Sequence, residues 1–384
     1  FDGIIDEITR LHPDILINVG DLIEGPQPDE AAINSEWDVV MSSMQKLTCP
    51  VYYVPGNNDI FSEDSRRLFP ERSGASPEYS FDYDGIHFLV LDNSELNSWD
   101  ELTDERWKWI EEDLDGAGDA KLKMVFFHKP FWIESFKEGQ SGRMHELFLR
   151  HGVDRVFSGH YHRYIASERD GIQYVMVGSS GGHCGSNPFK GELMHYGWLT
   201  VTEAEDGVKS DFAMLNAGSV VDEEWLTLDH WMAQDKLDHC LVTISRPTLM
   251  PDTTRCPVKL RFAEGCGAFA GEFEWLLEGT DWVISPAKGK FDLSKGKVVL
   301  DCAALGTGYR YPLPRLRITT DLNGQEYQSW STLEPVICAH MSRLDREAVE
   351  FEIDGRLTES FWLSSSDSDI KSFGDDAGKS CPTD

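Results

Sequence analysis

Four short strand-like runs in the N-terminal half, Ile15–Val19, Val51–Val54, Met124–Phe127 and Val153–Phe157, each break off into glycine or polar residues. The clusters are Gly20-Asp21, Pro55-Gly56-Asn57-Asn58-Asp59, His128 and Gly159-His160-Tyr161-His162. Apolar runs of this length read as buried strands, and the amphipathic stretches between them read as helices. Ile4, Ile8 and Leu11 share a helical face, as do Trp107, Ile110 and Leu114, and Met144, Leu147 and Phe148. A hairpin is expected over Tyr79–Leu91, turning at Asp84-Gly85. Strands alternating with helices make residues 1–217 an α/β domain. In open α/β sheets ligands bind where strands run out at their carboxyl ends, which is where the polar clusters stand.

Beyond Trp225 the strands Val258–Phe262, Gly271–Leu277, Lys297–Asp301, Leu316–Thr320 and Gln325–Trp330 follow one another without a long helical period, with a hairpin signal at Asn323-Gly324. Residues 218–239 read as a linker or helical segment, and residues 240–335 as an all-β sandwich domain. Residues 336–384 hold one more strand, Ala348–Ile353, and a Ser/Asp/Gly-rich tail that cannot fold alone. A chain of 384 residues, 40% hydrophobic and 11% aromatic, has the length for two or three domains and the side chains to fill their cores.

Asp and Glu outnumber Lys and Arg 67 to 35, a net charge of −32. Such a surface repels polyanions and gains nothing from counterion release, so nucleic acid and anionic membranes are not expected partners. No apolar run approaches the roughly 18 residues of a membrane-spanning helix. The chain opens at Phe1 without Met, basic n-region or cleavage site, so neither a cytosolic start nor a removed signal is legible. The eight cysteines include no CxxC, and those from Cys240 to Cys338 would allow one or two disulfides in an oxidising compartment.

Asp21, Asn57, Asp59, His128, His160 and His162 form a mixed oxygen and nitrogen set of the kind that holds Zn, Mn, Fe or Co. Each residue alone has an ordinary explanation: Asp21 as a helix N-cap, Asn57 as a turn residue, His128 as a buried strand-end histidine. Their occurrence together at successive strand ends favours the metal reading.

Gly20-Asp21, Gly56-Asn57-Asn58-Asp59, His128 within Phe-Phe-His-Lys-Pro, and Gly159-His160-Tyr161-His162 together resemble the GD, GNHD, H and GHxH blocks of the calcineurin-like metallophosphoesterase superfamily. The separations of 36, 71 and 32 residues between Asp21, Asn57, His128 and His160 suit it. The resemblance covers residues 1–217 and implies a four-layer α/β/β/α sandwich. It implies two divalent metal ions (Mn, Fe, Zn or Co) about 3.5–4 Å apart. Asp21 would bridge them; Asn57, His128 and His160 would complete one site and His162 would serve the other. A bridging hydroxide would then attack a phosphomonoester or phosphodiester, on a small molecule or a polymer.

The family's DxH block is absent, which reads as a truncated sequence whose second metal lacks two ligands. Asn58 stands where the family usually has a His that assists the leaving group, although other residues occur there in hydrolases of the family. A carboxamide cannot act as a general acid near neutrality, a role worth roughly 10²–10⁴ in rate. Asn58 and Asp59 are thus the candidate catalytic pair, with Asp59 supporting the loop rather than orienting an imidazole.

Gly178-Ser179-Ser180-Gly181-Gly182 fits G-x-S-x-G, but Gly181, Gly182, Gly185 and Pro188 forbid the helix a serine-hydrolase elbow needs. The segment reads instead as a loop approaching the metal site, with His183 and His195 beside it. The segments Asp29–Glu36, Ile133–Arg143 and His183–His195 read as the loops that choose the substrate. Residues 240–335 resemble immunoglobulin-like modules of bacterial extracellular enzymes. Val349–Trp362 looks like the opening of a family-9 carbohydrate-binding-module-like domain, which implies a carbohydrate partner and export. A rival reading is a non-catalytic protein that keeps the fold and a metal and binds a polymer. A nuclease of the same superfamily fits the charge least.

Overall fold

The computed structural model describes residues 1–184, 191–192, 194–204, 207–216, 219–220, 226–244, 248–249, 255–262, 270–280, 282–295, 299–306, 313–322, 325–333 and 336–337. The chain divides into two compact units, Phe1–Lys236 with Leu322–Tyr327, and Leu237–Asp321 with Gln328–Asp384.

The first unit opens α1 (Asp2–Leu11), β1 (Leu16–Asn18), α2 (Glu30–Met44), β2 (Val51–Tyr53), α3 (Glu63–Ser73), β3 (Tyr79–Tyr83) and β4 (Ile86–Val90). It continues α4 (Asp104–Gly116), β5 (Leu122–Phe126), α5 (Trp132–Lys137), α6 (Gly142–Arg150), β6 (Arg155–Ser158), β7 (Ile165–Arg169) and β8 (Ile172–Met176). The strands β9 (Tyr196–Ala204), β10 (Gly207–Asn216) and β11 (Ser219–Val220) follow, and then α7 (Leu228–Cys240).

Six strands form a mixed sheet in the order β3-β4-β5-β6-β8-β7, with parallel pairing from β4 through β8. The two faces of this sheet bury different sets. Leu89, Val125 and Val156 pack with Trp107, Ile110 and Leu114 of α4 and with Met144, Leu147 and Phe148 of α6. Phe88, Met124, Phe126 and Phe157 face the other way, toward Ile15, Ile17, Leu199, Val201 and Phe212 of β1, β9, β10 and their flanks. A third cluster joins Ile5, Ile33, Trp37 and Phe69 of α1, α2 and α3 to Tyr53 of β2. Alternation along each strand therefore yields four layers, helices outside and sheets within.

The β3–β4 turn has φ of 49° at Asp84 and 76° at Gly85, a type I′ hairpin as expected from the Asp-Gly pair. Three expectations need correction. Leu11 is exposed and Ile5 takes its place, because α1 ends at a left-handed His12. The strand expected from Val153 starts at Arg155, since Gly152 and Val153 close α6: Val153 N–H donates to the Phe148 carbonyl and Gly152 N–H to that of Leu149. Asp29–Glu36 and Ile133–Arg143 are largely helical, α2 being N-capped by the Asp29 side chain bonded to Ala32 N–H.

His87 on β4 lies buried between two carboxylates, Nδ1 at 2.9 Å from Asp82 Oδ1 and Nε2 at 2.9 Å from Asp113 Oδ2. The bond to Asp113 raises its pKa, burial opposes, and Asp82 adds to the rise. A raised folded pKa stabilises fully below the unfolded value of about 6.5 and loses that stabilisation as pH climbs through the folded value. The His87→Gln variant should therefore lack part of the wild-type fall in unfolding free energy above about pH 6.5. Urea titrations from pH 6 to 9 measure this; parallel declines in the two proteins would show that His87 is not the linked group.

From Leu241 onward the described chain is strand-rich: β12 (Leu241–Ile244), β13 (Thr248–Leu249), β14 (Arg255–Phe262), β15 (Ala270–Leu276), β16 (Trp282–Ser285), β17 (Lys288–Asp292), β18 (Val299–Gly306), β19 (Arg315–Leu322), β20 (Gln325–Thr332) and β21 (Val336–Ile337). β14 pairs antiparallel with β12 and β18, and β18 with β16; β15 pairs antiparallel with β17 and β19. Phe273, Trp275, Trp282, Ile284 and Ile318 are buried. Asn323, Gly324 and the stretch containing Ala348–Ile353 and Val349–Trp362 lie outside the described residues.

Candidate metal centre

The site grows from the carboxyl ends of β1, β2, β5 and β6. After β1 the chain turns sharply: Gly20 N–H donates to Asn18 Oδ1 at 2.8 Å, and φ is 98° at Gly20 and 57° at Asp21. After β2, Gly56 comes so close that a Cβ there would stand 2.2 Å from Asp21 Oδ1, so only glycine is accommodated. Asp59 ties the two loops. Its Oδ2 accepts from Asp21 N–H and Gly56 N–H, both at 2.8 Å, and its Oδ1 from Leu22 N–H at 2.8 Å and Ile23 N–H at 3.3 Å. All four acceptor directions of the carboxylate are spent on backbone. Burial raises its pKa to about 6 against the pull of the Gly56 N–H. Asp59 is thus bound up as a clamp between the two loops and has no lone pair left to face a reacting group.

His128 follows β5 and is 1% exposed. Its loop is held by Asn93, whose Oδ1 accepts from the N–H of His128 at 3.1 Å and of Lys129 at 3.0 Å, while its Nδ2 donates to the Lys129 carbonyl at 2.8 Å. His128 Nδ1 lies 2.8 Å from the Val19 carbonyl, which can only accept, so Nδ1 carries the proton. Nε2 then faces Asp21 Oδ2 at 3.0 Å and His160 Nδ1 at 3.2 Å. In a neutral His128 that Nε2 is a lone pair opposed to a carboxylate oxygen. Something positive, a proton or a metal ion, must stand between them.

Asp21, His128 and His160 each offer a ligand atom, all within 4.8 Å of one another, and they form the one such group among the described residues. Burial, then the nearby His128 charge, lower the His160 pKa to about 4, so this imidazole is neutral and ready to ligate at physiological pH. Burial pushes Asp21 upward, but its bonds to His128 and to Asn58 N–H hold it below the usual carboxylate range. The backbone is strained here: φ is 78° at His160 and 54° at His162, both non-glycine residues. Left-handed positions of this kind cost about 1–2 kcal/mol each and cluster at functional sites. Gly159 lets the loop approach, since a Cβ there would meet Val19 Cγ2 at 3.1 Å.

Asn57 and Asn58 complete the wall. Asn58 N–H donates to Asp21 Oδ1 at 2.9 Å, and Asn57 Nδ2 donates to Asn58 Oδ1 at 3.1 Å. Asn57 Oδ1 is buried with no hydrogen-bond partner, the state of a carbonyl oxygen awaiting a cation. The oxygen and nitrogen donors therefore fit a borderline divalent metal. His162 lies outside the three-residue group, its ring centroid 6.5 Å from that of His183.

The Gly178–Gly182 segment follows β8 as a loop without a helix. His195 is buried against it, its Nε2 accepting from Gly178 N–H at 2.8 Å, where a Cβ would meet the ring at 2.4 Å. Asn93 was not among the residues singled out from sequence. Its only signal is a polar residue directly after an apolar strand, which does not separate a loop clamp from a turn.

Residues 1–164 match the family model described as Calcineurin-like phosphoesterase. The chain is similar to Glycerophosphodiester phosphodiesterase GpdQ of Enterobacter lignolyticus, 32% identical over 174 residues that cover 41% of this chain and 59% of that one. It is similar to Serine/threonine-protein phosphatase CPPED1 of Homo sapiens, 26% identical over 206 residues, 48% of this chain and 65% of that one. It is also similar to Purple acid phosphatase 15 of Arabidopsis thaliana, 27% identical over 224 residues, 46% of this chain and 42% of that one. The chain thus spans between 42% and 65% of the length of these curated relatives.

Proposed function

We propose that the chain, whose residues 1–164 match the Calcineurin-like phosphoesterase model, is a metal-dependent hydrolase of phosphomonoesters or phosphodiesters. The observation that carries this reading is the convergence of Asp21 Oδ2, His128 Nε2 and His160 Nδ1 around a space that needs positive charge. Asp21, Asn57, His128 and His160 would hold a divalent ion, with His162 and a shared Asp21 serving a second. Bound there, such ions supply Lewis-acid polarisation of a phosphoryl oxygen and a nucleophile from water at neutral pH.

The chain's own residues set the conditions for that chemistry. Asp59 fixes the spacing of the β1 and β2 loops, and Asn93 and Val19 fix the ring and tautomer of His128. The relatives named for phosphatase and glycerophosphodiester phosphodiesterase activity support both ester classes as candidates.

The test is reconstitution. Chelator-stripped protein should not cleave p-nitrophenyl phosphate or bis(p-nitrophenyl) phosphate, and Mn, Zn, Co or Fe(II) should restore cleavage of one of them. Tight metal binding without turnover of either ester would favour a non-catalytic binding protein instead.

A further inference from the structure

We infer that Asn58 is a positioning residue: it aims Asn57 Oδ1 at the metal centre, and Gly25 supplies the room for it to do so. The inference rests on the metal-centre reading above.

A carboxamide has a donor end and an acceptor end of nearly the same shape, so its orientation is decided by its partners. Beside a carboxylate such as Asp21, the default is the NH₂ turned toward the negative charge, which would remove the ligand oxygen from the centre. Asn58 Oδ1 prevents this by accepting from Asn57 Nδ2 at 3.1 Å. With the donor end engaged, Asn57 Oδ1 is the end left buried and unpartnered.

Asn58 is itself held on two sides. Its N–H donates to Asp21 Oδ1 at 2.9 Å. Its side chain lies on Gly25, where φ is 114° and a Cβ would stand 2.8 Å from Asn58 Oδ1 and 3.0 Å from its Cγ. Gly25 therefore leaves the room that the Asn58 carboxamide occupies, and Asn58 Oδ1 holds the nitrogen end of Asn57.

The experiment measures Co(II) binding to the whole chain by calorimetry, together with the visible d–d spectrum, which reports the ligand set. Asn58→Ala should weaken Co(II) about 10–100-fold and change the spectrum. Asn58→Asp, which keeps an acceptor oxygen in place, should restore the wild-type spectrum. Gly25→Ala should weaken binding as Asn58→Ala does, although it removes no polar group. Far-UV circular dichroism checks that each variant is folded, and Asp21→Ala is measured beside them. Wild-type binding by Asn58→Ala with loss in Asp21→Ala would overturn this inference alone, as would equal losses in Asn58→Ala and Asn58→Asp. Wild-type binding by Asp21→Ala would overturn the metal centre itself.

Discussion

Asp21→Ala should abolish measurable metal retention and lower phosphoester hydrolysis by about 10³-fold or more, with the folded state largely kept. Asp21 Oδ2 faces His128 Nε2 and Oδ1 accepts from Asn58 N–H, so one side chain serves both the pocket and its wall. Its removal takes the carboxylate from beside His128 Nε2 and opens space beside Gly56. His160→Ala should behave alike, since that ring stays neutral down to well below physiological pH and its Nδ1 lies 3.2 Å from His128 Nε2. Elemental analysis and initial rates on the same preparations check this. Normal metal content with lost activity would mean that Asp21 acts on substrate rather than on a metal ion.

Leaving-group acidity should govern the rate steeply. Asn58, at the position where the resembling family carries a histidine, has no proton to give near neutrality, and Asp59 is occupied by four backbone N–H groups. No motif side chain outside the proposed metal ligands is left to protonate the departing oxygen. Esters of acidic phenols should accordingly outrun alkyl esters by about 10²–10⁴ in kcat/KM, the range a general acid ordinarily contributes. A plot of log kcat/KM against leaving-group pKa gives the answer. A shallow slope would show that another group delivers the proton, Tyr161 and His162 being the titratable side chains nearest in sequence to His160.

Which parts of this protein were legible beforehand follows from the range of the forces involved. Local patterns carry local information. The Asp84-Gly85 pair demands positive φ at both positions and so announced its turn, and Trp107, Ile110 and Leu114 recur at helical spacing and so announced α4. Short strands were harder. β16, whose apolar run is only Trp282-Val283-Ile284 before Pro286, and β17, which opens Lys-Gly-Lys, were not anticipated. Asp29–Glu36, polar enough to read as a loop, is helical because the Asp29 side chain caps α2 through Ala32 N–H.

The same division holds at the centre. Sequence by itself determined the candidate ligands, because Asp21, Asn57, His128 and His160 stand at strand ends and parallel strands carry their ends to one edge. It could not determine what each does. Asp59 is a clamp because Asp21, Leu22 and Ile23, far from it along the chain, turn their N–H groups onto one carboxylate. His128 presents Nε2 because the Val19 carbonyl, 109 residues away, claims Nδ1. Asn57 keeps its Oδ1 unpartnered because Asn58 takes its nitrogen, with Gly25 leaving space for the Asn58 side chain. Hydrogen-bond direction and close approach are properties of atoms brought together by folding, so the identity of a ligand lies in the sequence and its orientation lies in the tertiary structure.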